Sequence, residues 1–170
     1  MTPIELLIEE FSRIQGSVRA TLKNATPASL TFRADADANT IAWLTWHLSR
    51  VQDDHIADLA GTAQVYTGQG WIERFDLPFG PGPVGYGHTS AEVAAVRADA
   101  DLLSGYYDAV HTATLAYLAT LSAADLDRVV DESWTPAVTV GVRLASVLSD
   151  DLQHAGQAAF VRGLADRAGV

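Results

Sequence analysis

The chain has 170 residues, 48% of them hydrophobic, with 21 Asp and Glu against 11 Lys and Arg, a formal net charge of −10. This length suits a single domain over residues 1–170 with one buried core, and the acidity argues against nucleic-acid backbones and anionic membranes as partners. The absence of cysteine excludes disulfides, Cys-type zinc sites and a Cys nucleophile, so any thiol chemistry must use an external thiol.

Met1-Thr2-Pro3-Ile4-Glu5 lacks the basic start and apolar core of a signal peptide. With no run long enough to span a bilayer, a cytoplasmic protein is expected. Ile4, Leu7, Ile8, Phe11, Ile14, Val18 and Leu22 recur at three- and four-residue steps, one stripe of a first helix. Thr2, Pro3 and Glu5 form its capping signature, and Asn24 to Pro27 end it. Ala28 to Ala38 read as a connector. Asn39 or Thr40 caps a second helix to about Leu59, with Gly61 as its stop. Thr62 to His88 carry too many glycines and prolines for a regular element. Trp71, Phe75, Phe79 and Tyr86 give this stretch apolar anchors, so an ordered cover is expected. Thr89 and Glu92 open a third helix, with Val93, Val96, Ala100, Leu103, Tyr107, Val110, Thr114, Tyr117 and Leu121 on its stripe. Ser122 to Pro136 are a second connector with a helical turn near Ala124–Leu126. Thr139 caps a fourth helix carrying Val140, Leu144, Val147, Leu148, Ala155, Ala158 and Val161, and Gly163 begins its end. No strand-like alternation of useful length appears. The fold expected is all-α, a four-helix bundle.

Asp150 and His154 are four apart, one helical turn on one face. Arg143 and Gln157 lie seven before and seven after Asp150 on that face. A polar column on a bundle helix is costly unless its members are paired or coordinated. His47 on the second helix supplies a further ligand type, and two His with one carboxylate suit zinc or ferrous iron. By spacing alone, a surface contact is the commoner explanation of the Asp150–His154 pair. A core histidine bonded to backbone is the commoner explanation of His47. Asp151 also lies within reach of His154, at a spacing of three. His55 reads as peripheral, His88 as turn chemistry, His111 as solvent-facing, and Asp53 with Asp54 as a solvated charge pair. Tyr107 and Tyr117 read as core. Trp43, Trp46 and Trp134 read as core or pocket mouth.

Trp43-Leu44-Thr45-Trp46-His47-Leu48-Ser49-Arg50-Val51-Gln52-Asp53-Asp54-His55 resembles the second-helix motif of the DinB-like superfamily. His154-Ala155-Gly156-Gln157 followed by Val161-Arg162-Gly163-Leu164 is similar to its fourth helix, and Gly85-Tyr86-Gly87-His88-Thr89 to the cover of its actinobacterial members. The resemblance implies a four-helix bundle holding a divalent metal, zinc first with nickel or iron as alternatives, on His47, on His154 and on the position four before His154. The family usually has a histidine there; this chain has Asp150. The likeness also implies low-molecular-weight thiol-dependent transfer or isomerisation of the mycothiol or bacillithiol kind. Arg143, Arg50 and Arg162 are then candidates to hold the carboxylate or sugar of that cofactor. Metal-assisted hydrolysis of a small molecule is a variant. The alternatives are a non-catalytic small-molecule-binding or stress-response module with a degenerate site, and a purely structural dimerisation protein. A homodimer is expected by analogy with other bundles.

Overall fold

Each main helix starts where a side chain can satisfy its first free amides. The computed structural model describes residues 1–170, and in it α1 spans Pro3–Leu22. The Thr2 hydroxyl accepts from the Glu5 amide while the Glu5 carboxylate accepts from the Thr2 amide. A short α2, Pro27–Leu30, is capped by Thr26. Thr40 caps α3, Ile41–Ala60, and Gly61 ends it in the left-handed conformation that glycine adopts without strain. Thr139 caps α8, Val140–Ala168.

Four long helices form the bundle, in the ring order α1, α8, α3 and α7 (Ala100–Leu118). Arg143, early in α8, meets Asp58, late in α3, whereas His154 lies against His47, so α3 and α8 run antiparallel. Arg50 bonds Tyr106, and Gln52 bonds Thr114 further along both helices, so α3 and α7 run parallel. A parallel pair needs a connection that travels back the length of the bundle. Residues 62–99 make that journey. They contain the short helices α4 (Val65–Gly68), α5 (Trp71–Phe75) and α6 (Ser90–Ala95).

This crossover explains the burial of α3, whose residues Ile41 to Arg50 are all buried. A helix buried on every side has neighbours on every side; here they are α7, α8 and the returning chain. One continuous apolar core joins Phe11, Ile14, Leu44, Leu48, Leu103, Val110, Leu144 and Val147. No helix is long and apolar enough to cross a membrane.

Several expectations are corrected. The third helix does not start at Thr89: that residue caps only α6, and the chain leaves the helix at Val96. Asp99 then caps α7, its carboxylate accepting from the Leu102 amide. The fourth helix continues past Gly163 to Ala168 and ends at Gly169. The cover is not devoid of regular structure, since α4 and α5 lie within it. A two-stranded antiparallel ribbon, β1 (Val129–Asp131) with β2 (Val138–Thr139), leads into α8. The helical turn foreseen near Ala124–Leu126 is a 3-10 turn at Ala123–Asp127.

Candidate metal centre

The antiparallel seam of α3 and α8 brings His47, Asp150 and His154 together. One donor atom from each lies within 4.8 Å of the others. Asp150 and His154 are one turn apart on α8, and His154 Nε2 is 3.5 Å from Asp150 Oδ1. His47 reaches across from α3, with Nε2 4.0 Å from Asp150 Oδ2. The imidazoles of His47 and His154 meet edge to face at 4.7 Å.

Each histidine has its other nitrogen engaged. His47 Nδ1 lies 2.6 Å from the Val84 carbonyl oxygen, which can only accept, so Nδ1 carries the proton and donates. His154 Nδ1 lies 2.9 Å from the Gln157 side-chain oxygen and donates likewise. Both Nε2 lone pairs are thereby left for the common point, the outer arrangement that fixes the tautomer of metal-bound histidine. Trp43 stacks on His47 at 4.6 Å with the planes 11° apart, which holds the ring in place.

Electrostatics separate the two histidines. Burial lowers the His47 pKa; the Val84 carbonyl opposes this, and His154 adds to the lowering. The Asp150 carboxylate raises that of His154, against partial burial. Asp150 Oδ2 is buried without a hydrogen-bond partner, although the side chain as a whole is 32% exposed. An unpartnered carboxylate oxygen beside two imidazole lone pairs is an unfavourable arrangement that a cation would relieve. Ligand atoms about 2.0–2.2 Å from a tetrahedral ion stand roughly 3.3–3.6 Å apart. The 3.5 and 4.0 Å separations, to Asp150 Oδ1 and Oδ2 respectively, lie at or just above that span, and the three donors lie within 4.8 Å of one another, so small side-chain movements would close them round an ion. These residues fit a divalent ion.

The returning chain closes the seam. It runs antiparallel to α3 with one contact per turn. The amides of Val65 and Tyr66 donate to Asp53, the Pro81 carbonyl accepts from Arg50, the Val84 carbonyl from His47, and His88 Nδ1 from the Trp43 indole. The expected solvated pair at Asp53 and Asp54 is therefore corrected for Asp53, which is buried and also accepts from the Tyr106 hydroxyl. Burial raises its pKa, and the two amides act in the opposite direction. His88 does more than shape a turn: its ring packs on Trp46 and Phe79. His111, read as solvent-facing, is buried. Asp151 is wholly buried and is not among the converging donors. Trp134 is exposed, whereas Trp43 and Trp46 are core.

The three arginines lie apart from one another. Arg50 is buried, 3.5 Å from Asp53, bonded to Gln64 and Pro81 and stacked over Tyr66. Arg162 bonds Asp166 and the carbonyls of Thr21 and Lys23 at the end of α1. Arg143 alone shares the α3–α8 seam, beside His55. The Val84 carbonyl was not legible in the sequence, because backbone acceptors carry no residue signature. Gly85 was legible only as part of the cover motif, with no role attached to it. A Cβ there would stand 2.6 Å from His47 Nδ1 and 3.1 Å from Trp46, and its φ is +103°. A glycine next to the carbonyl that orients His47 was the available signal.

The comparisons agree with this architecture. The family described as the DinB superfamily matches residues 10–158. A solved structure, titled as a conserved protein of a locus from Enterococcus faecalis, is 32% identical with a TM-score of 0.88, covering 95% of this chain and 96% of that one. No curated protein matches.

Proposed function

The chain belongs to the DinB superfamily, and on that footing we propose that it is a metal-dependent enzyme that activates an external nucleophile at His47, Asp150 and His154. The observation that carries this reading is the convergence of the three donors with both Nδ1 atoms already engaged. A divalent ion held there by three protein ligands, with a position left open, would lower the pKa of a thiol or water bound to it. His47 and His154 supply neutral nitrogen. Asp150 supplies one negative charge, which offsets part of the ion's charge and makes the site less electrophilic than one with three histidines. Asp150 is also the most exposed of the three, so approach is easiest from its side. Trp43 and the Val84 carbonyl keep His47 from turning away.

The nucleophile favoured is a low-molecular-weight thiol in transfer or isomerisation, supplied from outside because the chain has no cysteine. Hydrolysis is the second reading, and the donor set favours it, since two histidines and a carboxylate are the ligands of established zinc hydrolases. Zinc is the expected ion, with nickel or iron also suited to imidazole.

Metal analysis of protein purified without a chelating tag tests the proposal. One ion per chain is expected, bound directly or on addition of Zn²⁺, Ni²⁺ or Fe²⁺, and lost in His47→Ala and His154→Ala. The loaded protein is then assayed for thiol conjugation and for ester or amide hydrolysis. Failure of all three ions to bind the folded protein would refute the metal reading and leave a non-catalytic binding module.

A further inference from the structure

Two turns from the candidate metal centre along the same seam, His55, Trp134, Val138, Val142, Arg143 and Ser146 line a pocket of about 300 Å³. Arg143 forms its charged wall. The side chain is only 17% exposed, yet its guanidinium is loosely held. His55 Nδ1 accepts from it at 3.3 Å, Asp58 stands 3.7 Å away and Asp131 3.6 Å. A guanidinium has five donors in a planar fork that matches a carboxylate, and here no partner takes two of them at full hydrogen-bonding distance. Asp58 is itself 70% exposed, so solvent screens its claim on Arg143. The rest of the lining includes the apolar Val138, Val142 and Trp134.

The pocket and the metal centre share one axis. Arg143 precedes Asp150 by seven residues, about 10 Å along α8, and His55 follows His47 by eight, about 12 Å along α3. Ser146, on the pocket wall, occupies the interval. We propose that this pocket is the distal half of the substrate site and binds the carboxylate end of an elongated acid. The apolar body of that acid lies on Trp134, and its reacting group reaches His47, Asp150 and His154. This rests on the metal-centre reading only for the reacting end; the carboxylate end stands on Arg143 and the pocket alone.

The test uses phenylpropionate and its neutral amide, phenylpropionamide, titrated calorimetrically into metal-free and zinc-loaded protein. The acid should bind about tenfold or more tightly than the amide, the worth of a charge-assisted bond, in both metal-free and zinc-loaded protein. Arg143→Met should abolish that preference while keeping zinc binding. Trp134→Ala, at an exposed position, should weaken the aryl acid and leave acetate unchanged. On zinc-loaded protein, mercaptodecanoate should bind more tightly than mercaptopropionate, because only the longer chain spans both ends. Equal binding of acid and amide, an unchanged preference in Arg143→Met, or loss of acid binding on zinc removal would overturn the proposal; the last would place the carboxylate on the metal. Absence of zinc binding with acid binding intact would refute the metal reading alone.

Discussion

Gly85→Ala is the most informative single change, because it touches the candidate metal centre without altering a candidate ligand. The new Cβ would stand 2.6 Å from His47 Nδ1 and 3.1 Å from Trp46. Ordinary contact needs about 3.4 Å, so ring and backbone must part by roughly 0.8 Å. The Nδ1–Val84 bond is now 2.6 Å, and that opening stretches it to about 3.4 Å, beyond useful strength. Loss of such an outer-shell bond costs metal affinity about 10–100-fold, or roughly 1.4–2.7 kcal/mol. The φ of +103° adds backbone strain of about 1–3 kcal/mol against folding. Gly87→Ala separates the two effects: its φ is +73° but no atom lies within 4 Å of the added carbon. Competition titration with a zinc indicator measures affinity, and thermal melting of the metal-free proteins measures stability. Gly87→Ala should melt lower and bind zinc as the parent does. Gly85→Ala should lose in both. Parental zinc affinity in Gly85→Ala would refute the claim that the crossover orients His47.

In metal-free protein, His154 should titrate above the ordinary imidazole value of about 6.5, because the Asp150 carboxylate stabilises its charged form. Its contribution to folding stability is then full below about 6.5 and lost as pH rises through the raised value; NMR titration should show Asp150→Asn bringing that value down. Burial acts oppositely on His47, whose contribution is full above about 6.5 and lost as pH falls through its lowered value, readable from melting temperature against pH. Metal affinity should fall on acidification, since protons compete for both Nε2 atoms, and calorimetry at several pH values checks it. Asp53→Ala should cost about 3–5 kcal/mol in denaturant unfolding, because it strands buried Arg50 and frees two amides of the cover. It should also speed proteolysis within residues 62–88.

Which features were legible depended on where the physical signal sits. Caps are local, so Thr2, Thr89 and Thr139 could be read from the sequence, with Thr40 as one of two candidates beside Asn39, and each of the four threonines accepts a first-turn amide. The break between α6 and α7 was hidden because Val93, Val96, Ala100 and Leu103 keep helical spacing across it; only the Asp99 cap betrays it. Gly163 suggested an end that packing overrides, since a mid-helix glycine costs only about 1 kcal/mol, whereas Gly169, at φ +76°, supplies the true cap. Asp53 and His111 looked solvated because charge and polarity favour the surface on average. Their burial depends on the crossover over α3 and on helix packing, which no local pattern records. His47, Asp150 and His154 were legible as a set chiefly through the resemblance to the superfamily, since spacing alone favoured a surface contact for Asp150 with His154 and a core role for His47.

The topology also explains why the cover and the candidate metal centre belong together. With α3 and α7 parallel, the chain must return along the bundle, and it does so against α3. Each turn of α3 then needs something to say to a backbone that has no partner of its own. Asp53, Arg50, His47 and Trp43, three or four apart, are the residues that answer. His47 therefore has two roles fixed by one geometry: its Nδ1 secures the cover and its Nε2 faces Asp150. Loosening the cover should release the ring, and removing the ring should loosen the cover. Hydrogen exchange of the amides at residues 82–88 tests this coupling. His47→Ala should raise exchange there beyond the rise at residues 64–68, which Asp53 holds independently; a uniform rise along both stretches would instead mean that the cover opens as one piece and that His47 is not its local fastening.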